Sequence, residues 1–224
     1  MCGRYTVTVT MEELLLRYMT ADPSLLPFLP KFNIAPSQQV PAVIHDGTKN
    51  RIGLLKWGLV PAWSKDERSA AGMINARAET LMTKAAFKRL LPTRRCILPA
   101  DGFYEWKQEE GGKRPMRIVL REGGIFSLAG LYDIWTDPEG RKISSCTVIT
   151  TSPNELMSSI HHRMPVILRP EDEQSWLDRT NRDIPRLLEM LKPFEDGRLR
   201  AYPVSPAVGS VKNDSPELIR EIAL

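Results

Sequence analysis

The chain has 224 residues, 31 Lys+Arg against 27 Asp+Glu, and a formal net charge of +4. Hydrophobic residues make up 42% and charged residues 26%, a balance that excludes a disordered chain and allows a sizeable core. No apolar run approaches the ~20 residues of a bilayer span, and the opening Met1-Cys2-Gly3-Arg4-Tyr5-Thr6 has no signal-peptide pattern, so membrane and secreted classes are excluded. A cytoplasmic protein is expected. Cys2, Cys96 and Cys146 contain no Cys-x-x-Cys pair, which argues against a disulfide framework or a zinc knuckle.

In chain order, Tyr5, Val7 and Val9 alternate with threonines from Arg4 to Thr10, the pattern of a half-buried strand. Thr10 and Glu13 have capping-box spacing before Leu14-Leu15-Leu16, predicting a short helix. Pro23, Pro27, Pro30 and Pro36 forbid regular structure over most of 22–36. Val40–His45 and Ile52–Trp57 read as strands joined through Asp46-Gly47. A helix is predicted from Glu79 to Leu91, ended by Pro92. Short strands follow at Cys96–Leu98, Phe103–Trp106, Arg117–Leu120, Ile125–Tyr132 and Ser144–Thr150. Helices are predicted at 171–179, at 183–192, and from Ser215-Pro216 onward. Strands dominate the middle without alternating with helices. The expected class is α+β: a single domain over 1–224 with a curved, barrel-like, mostly antiparallel sheet flanked by short helices.

The scarce residues narrow the chemistry. Only His45, His161 and His162 could supply imidazole. Adjacent residues on a strand or helix diverge, so His161 and His162 do not make a metal pair, and no ligand-spaced cluster occurs; no metal or organic cofactor is expected. The Gly-x-Gly-x-x-Gly and P-loop patterns are absent. Cys2 stands apart, because removal of Met1 would give it a free α-amine beside its thiol. An α-amine (pKa ~7.7–8.0) and a thiol (~8.5) are both partly nucleophilic near neutrality. Such a 1,2-aminothiol captures an aldehyde as an imine and then closes to a thiazolidine. On position alone, Cys2 is equally well a small residue opening a strand.

Six motifs occur in order: Cys2-Gly3-Arg4-Tyr5; Asn33-Ile34-Ala35-Pro36; Trp57-Gly58-Leu59-Val60-Pro61; Ile74-Asn75-Ala76-Arg77-Ala78-Glu79-Thr80; Gly102-Phe103-Tyr104-Glu105-Trp106; and His161-His162-Arg163-Met164-Pro165. Together they resemble the SOS-response-associated peptidase family, whose members process abasic sites in single-stranded DNA. The resemblance runs through Val204-Ser205 to Asn213-Asp214-Ser215-Pro216-Glu217-Leu218 and covers essentially the whole chain.

It implies Cys2 as the crosslinking nucleophile, Asn75 as the active-site amide, Glu105 as the catalytic carboxyl and His161 as the general acid/base. His162 falls at a position the family fills variably. The implied partner is single-stranded DNA with abasic sites, bound by a monomer. Arg4, Arg77 and Arg163 lie within two residues of catalytic candidates and are expected to hold phosphates. Trp63 is the expected stacking platform for an unpaired base; some relatives carry two adjacent tryptophans where this chain has Trp63-Ser64. Lys84, Lys88, Arg89, Arg94 and Arg95 read as a solvated helix face at the margin of that groove.

Two rival classes stand beside this one. An amino-terminal-nucleophile thiol peptidase or amidotransferase would use Cys2 on an amide, and Met1 removal could then be autocatalytic. A non-covalent single-strand binder would not require Cys2, Asn75, Glu105 and His161 together.

Overall fold

The computed structural model describes residues 2–20, 28–67 and 72–223. Strand β1 (Tyr5–Val7) and helix α1 (Met11–Arg17) open it, followed by β2 (Lys31–Ile34), β3 (Gln39–His45), β4 (Asn50–Trp57), β5 (Asn75–Arg77) and the one-turn helix α2 (Ala85–Lys88). The long strands are β6 (Arg95–Ala100), β7 (Gly102–Glu109), β8 (Gly112–Leu120), β9 (Phe126–Thr136) and β10 (Lys142–Thr151). Helix α3 (Glu155–Ser158), β11 (Met164–Pro165), β12 (Ile167–Leu168), α4 (Pro170–Leu177), α5 (Ile184–Glu189) and β13 (Leu199–Pro203) complete the order.

Five strands close on themselves in the order β4-β3-β6-β9-β10, with β10 returning to β4 through the Cys146↔Trp57 register. That closing pair is parallel, as is β10–β5, which makes the barrel mixed; its other four pairings are antiparallel, in keeping with the mostly antiparallel sheet predicted. The second sheet, β13-β8-β7-β1-β2, is antiparallel throughout. It lies against the barrel through edge-on aromatic contacts, Tyr5 on Trp57 at 5.2 Å and Phe103 on Phe126 at 6.4 Å. The α+β class and the barrel-like sheet thus stand as predicted. Among the described residues no helix is long and apolar enough to cross a membrane.

Local rules account for much of this. Thr10 and Glu13 form the capping box: Glu13 N donates to Thr10 Oγ1 at 3.2 Å, and Thr10 N to Glu13 Oε2 at 2.7 Å. Strand β1 is shorter than the alternation from Arg4 to Thr10 predicts and is buried on both faces instead of one, because Thr6 turns away from the aromatic core into polar partners. Its hydroxyl donates to Asp101 at 2.6 Å and accepts from Arg117 at 3.0 Å. Gly102 lies so close to Arg117 that a Cβ there would stand 2.7 Å from the guanidinium, which accounts for the glycine opening Gly-Phe-Tyr-Glu-Trp. Gly58 leaves β4 at φ +127°, a conformation side chains resist.

Three elements differ from the sequence expectation. The predicted helix from Glu79 to Leu91 is instead a 3-10 turn (Ala78–Thr80) and the single turn α2. Thr80 and Thr83 hydroxyls bond back to the carbonyls of Arg77 and Thr80, at 3.3 and 3.1 Å, and compete with a continuous helix. Strand β2 forms within the proline-rich stretch, fitting between Pro30 and Pro36, with Asp214 accepting from Phe32 N at 2.7 Å. The predicted C-terminal helix is a 3-10 turn, Pro216–Ile219. Pro23 and Pro27 lie outside the described residues.

Candidate functional site

Cys2 is separated from β1 by Gly3 and Arg4 and is fully buried. Two tertiary ties fix its surroundings. Trp57 packs on Tyr5 and donates its indole N–H to Ile74 O at 2.9 Å, so one side chain braces both β1 and the segment entering β5. Asn75, the first residue of β5, then donates from Nδ2 to the Cys2 carbonyl at 2.9 Å. Its Oδ1 is buried and accepts no hydrogen bond among the described residues, leaving one acceptor at the site uncommitted.

Glu105 arrives from the neighbouring strand. The β1–β7 register pairs Tyr5 with Phe103, and Tyr104 N donates to Arg4 O at 3.0 Å. Continuing that register places Glu105 beside the Cys2-Gly3 step. Glu105 shares its strand face with Phe103, which belongs to the main core, while Tyr104 packs into a separate cluster with Tyr202 and Val204. The carboxyl is 3% exposed, and burial holds it above the usual carboxylate range. A solvated strand glutamate is thereby excluded. Burial, and next the Glu105 charge, push the Cys2 thiol far up, so it rests as S–H. This corrects the expectation of a partly ionised thiol near neutrality: the cause is the complete loss of solvation around Cys2.

His161 follows α3 in a tight turn, its N–H donating to Met157 O at 2.8 Å. Its Nδ1 accepts from Arg163 N at 3.0 Å and lies 3.2 Å from Arg163 O. The neutral ring accepts the former, and a protonated Nδ1 has the latter as its acceptor. Burial holds the His161 ring below its ordinary range, so the neutral form prevails at pH 7. The rings of His161 and His162 stack at 4.2 Å, contrary to the divergence expected for adjacent residues, because this segment is a turn and neither strand nor helix. The proximity of His161 lowers the His162 ring, and His162 in turn acts electrostatically on Glu105. No group of three or more His, Cys, Asp or Glu among the described residues is arranged to hold a metal ion.

The expected DNA-binding residues divide into two kinds. Arg77 and Trp63 are exposed, and Arg77 makes no side-chain hydrogen bond or ion pair among the described residues. Trp63 is 60% exposed on a loop held by Trp135, whose indole donates to Ser64 O at 2.8 Å, and by Ala62 N donating to Asp133 at 2.8 Å. A core tryptophan is excluded. Arg4 is committed internally, donating to Val208 O at 2.8 Å, Gly209 O at 3.2 Å and Asn33 Oδ1 at 3.1 Å. Arg163 is held by Glu79 and by Thr150 O, the latter at 2.7 Å.

The basic cluster is not one solvated helix face. Arg95 is buried beneath carbonyls of Leu91, Pro92 and Trp176, and burial lowers it to about 10. Arg89 pairs with the buried Asp133. Cys96 and Cys146 are buried on barrel strands, as expected.

Two residues escaped the sequence reading. Asn33 is buried and donates to Val208 O, Ser210 O and Asn213 O, at 3.2, 2.9 and 2.8 Å, pinning the C-terminal segment beside Arg4. Its presence in Asn-Ile-Ala-Pro was the available signal. Glu79 stands in the Asn75–Thr80 motif, but its pairing with Arg163, 84 residues away, has no local signature.

A buried cysteine at position 2, held by the Asn75 amide and electrostatically coupled to the buried Glu105 carboxyl, marks a candidate amino-terminal-cysteine site on an α+β scaffold. The family model for SOS response associated peptidase (SRAP) matches residues 1–211, and the chain belongs to that family. Abasic site processing protein YoqW of Bacillus subtilis (strain 168) is 48% identical over 223 residues, covering 98% of this chain and 99% of the relative. Abasic site processing protein HMCES of Gallus gallus is 31% identical over 229 residues, covering 88% and 68%. An X-ray structure of a protein from Bacteroides thetaiotaomicron superposes with a TM-score of 0.88 at 27% identity, covering 99% of this chain and all of that one.

Proposed function

We propose that this chain processes abasic sites in single-stranded DNA by covalent capture through Cys2, protecting the site during the DNA damage response. The family membership and the names of the Bacillus and Gallus relatives support the substrate class. The observation that carries the mechanism is the Asn75 amide holding the Cys2 carbonyl while Glu105 lies alongside.

Hydrolysis of the Met1–Cys2 peptide bond frees the Cys2 amine. His161, neutral at rest, takes the proton of the sugar C1′ hydroxyl and passes it to the ring oxygen as the C1′–O4′ bond breaks, opening the deoxyribose to its aldehyde. The amine adds to the aldehyde carbon, Glu105 protonates the departing hydroxyl and then takes up the proton that nitrogen gives off, so one water leaves and a neutral imine forms. The thiol sulfur then bonds to the imine carbon and its proton passes to nitrogen, closing a thiazolidine. A buried S–H suits this last step, since addition across C=N transfers the proton and requires no standing thiolate. Asn75 keeps amine, thiol and carbon in reach. Trp63 stacks on a neighbouring base, and Arg4, Arg77 and Arg163 supply the positive field for the flanking phosphates. An imine also acidifies the adjacent sugar C–H, so strand cleavage by β-elimination competes whenever ring closure is slow.

The test uses single-stranded oligonucleotides with and without an abasic site. The expected result is an adduct that survives denaturing electrophoresis, forms only with the abasic strand, and is lost in Cys2→Ala. An equal adduct from Cys2→Ala overturns the mechanism. Hydrolysis of glutamine or a peptide without any adduct would favour the thiol-peptidase reading.

A further inference from the structure

Arg163 sits in an arrangement that its neighbours do not share. Its guanidinium meets the Glu79 carboxylate side by side, Nη1 to Oε1 at 2.8 Å and Nη2 to Oε2 at 2.9 Å. This two-oxygen, two-nitrogen match is the one a phosphodiester makes with arginine. Behind it, Nη2 also donates to Thr150 O at 2.7 Å, and Arg163 N donates to His161 Nδ1 at 3.0 Å. The Arg163 side chain is 13% exposed, whereas Glu79 is 51% exposed. The cation is therefore fixed from the protein side, next to the His161 turn, and its anion is the movable partner. The Arg163 hydrogen bonds hold the Glu79 carboxyl below the usual range, so it remains an anion at neutral pH. Two residues earlier on the same segment, Arg77 is exposed and makes no ion pair among the described residues.

We infer that Arg163 is a built anion seat occupied by Glu79 in the DNA-free protein, and that a DNA phosphate displaces Glu79 on binding. This rests on the single-stranded DNA reading above and adds an exchange step to it. The seat is never left without an anion, because opening the pair with no incoming phosphate would strand a largely buried guanidinium. Glu79 can swing to water at little cost, and its departure leaves Arg77 and Arg163 facing the backbone together. The carboxylate also penalises loose association: a strand that does not bring a phosphate to Arg163 meets a negative charge there.

The test is equilibrium binding of an undamaged single-stranded oligonucleotide, which reports the non-covalent step alone, across a salt series. Glu79→Gln keeps the shape and an acceptor for Arg163 but removes the competing charge. It should bind roughly two- to fivefold tighter at low salt, the range of a partly exposed ion pair. The salt dependence should steepen by about one phosphate contact. In the Arg163→Ala background, Glu79→Gln should give no gain. Binding by Glu79→Gln that is equal to or weaker than wild type, with an unchanged melting temperature, overturns the exchange. Should Glu79→Gln melt early, Glu79→Asp withdraws the charge by one methylene and must show the same gain in smaller measure; no gain there overturns it equally. A wild-type protein that forms the Cys2 adduct while these variants show no gain removes the exchange alone. A wild-type protein that neither binds single strands nor forms an adduct removes the underlying reading.

Discussion

Asn75→Ala tests how much of the capture chemistry depends on holding the chain start in place. In the structure one hydrogen bond, Nδ2 to Cys2 O at 2.9 Å, joins β5 to the residue proposed to carry the nucleophile. Alanine removes that donor and leaves the Cys2 carbonyl to find another partner. A buried group stripped of its partner costs ~1–3 kcal/mol. Expressed as lost alignment in the rate-limiting step, that range is roughly a five- to 150-fold slower capture, at ~1.4 kcal/mol per tenfold. The assay is single-turnover adduct formation on an abasic single-stranded oligonucleotide at saturating protein, with the melting temperature measured in parallel. Asn75→Asp sharpens it, since a carboxylate accepts but does not donate and adds a negative charge near Glu105. It should be slower than Asn75→Ala. Wild-type rates from folded Asn75→Ala, or an Asn75→Asp faster than Asn75→Ala, would refute the positioning argument.

Burial raises the Glu105 carboxyl, so the folded protein binds that proton more tightly than the unfolded chain. The stability this confers is complete below the ordinary Glu range and is lost as pH rises through the raised native value. Glu105→Gln should therefore melt higher than wild type at pH 7 and lose less stability between acid and neutral pH, while capturing abasic sites poorly; a lower melting temperature at pH 7 would contradict the buried-charge reading. Trp63→Ala should change stability by less than ~0.5 kcal/mol, being exposed, yet weaken single-strand binding by ~1–3 kcal/mol in an anisotropy titration. Asn33→Ala strips three carbonyls of their donor and should destabilise the fold by ~2–4 kcal/mol in urea unfolding, with earlier proteolysis near 205–214; an unchanged midpoint would show that Arg4 alone pins that segment.

Where local chemistry decides structure, the sequence was legible. The Thr10–Glu13 capping box and the Asp46-Gly47 connection appear where the residues put them, whereas β1 alternates in residue type but is buried on both faces. The Glu79–Leu91 helix was not legible, because threonine hydroxyls bonding back to the chain outweighed its apolar periodicity. The parallel return of β10 onto β4 is a long-range pairing with no local signature. At the site, residue types and order pointed to Cys2, Asn75, Glu105 and His161, but not to the complete burial of Cys2, which inverts its expected ionisation. Arg4 and Arg163 illustrate the same limit: sequence proximity to the site says nothing of the carbonyls and carboxylate that already hold them.

The central claim is that Cys2 captures the abasic aldehyde with amine and thiol together. The most direct measurement is intact and peptide mass spectrometry of the purified adduct, with alkylation of free thiols and borohydride treatment before digestion. The account predicts an adduct one water lighter than its two components, mapped to a peptide beginning at Cys2, whose sulfur resists alkylation and whose linkage resists reduction. An adduct on a lysine, one retaining Met1, or one whose Cys2 thiol still alkylates would contradict it.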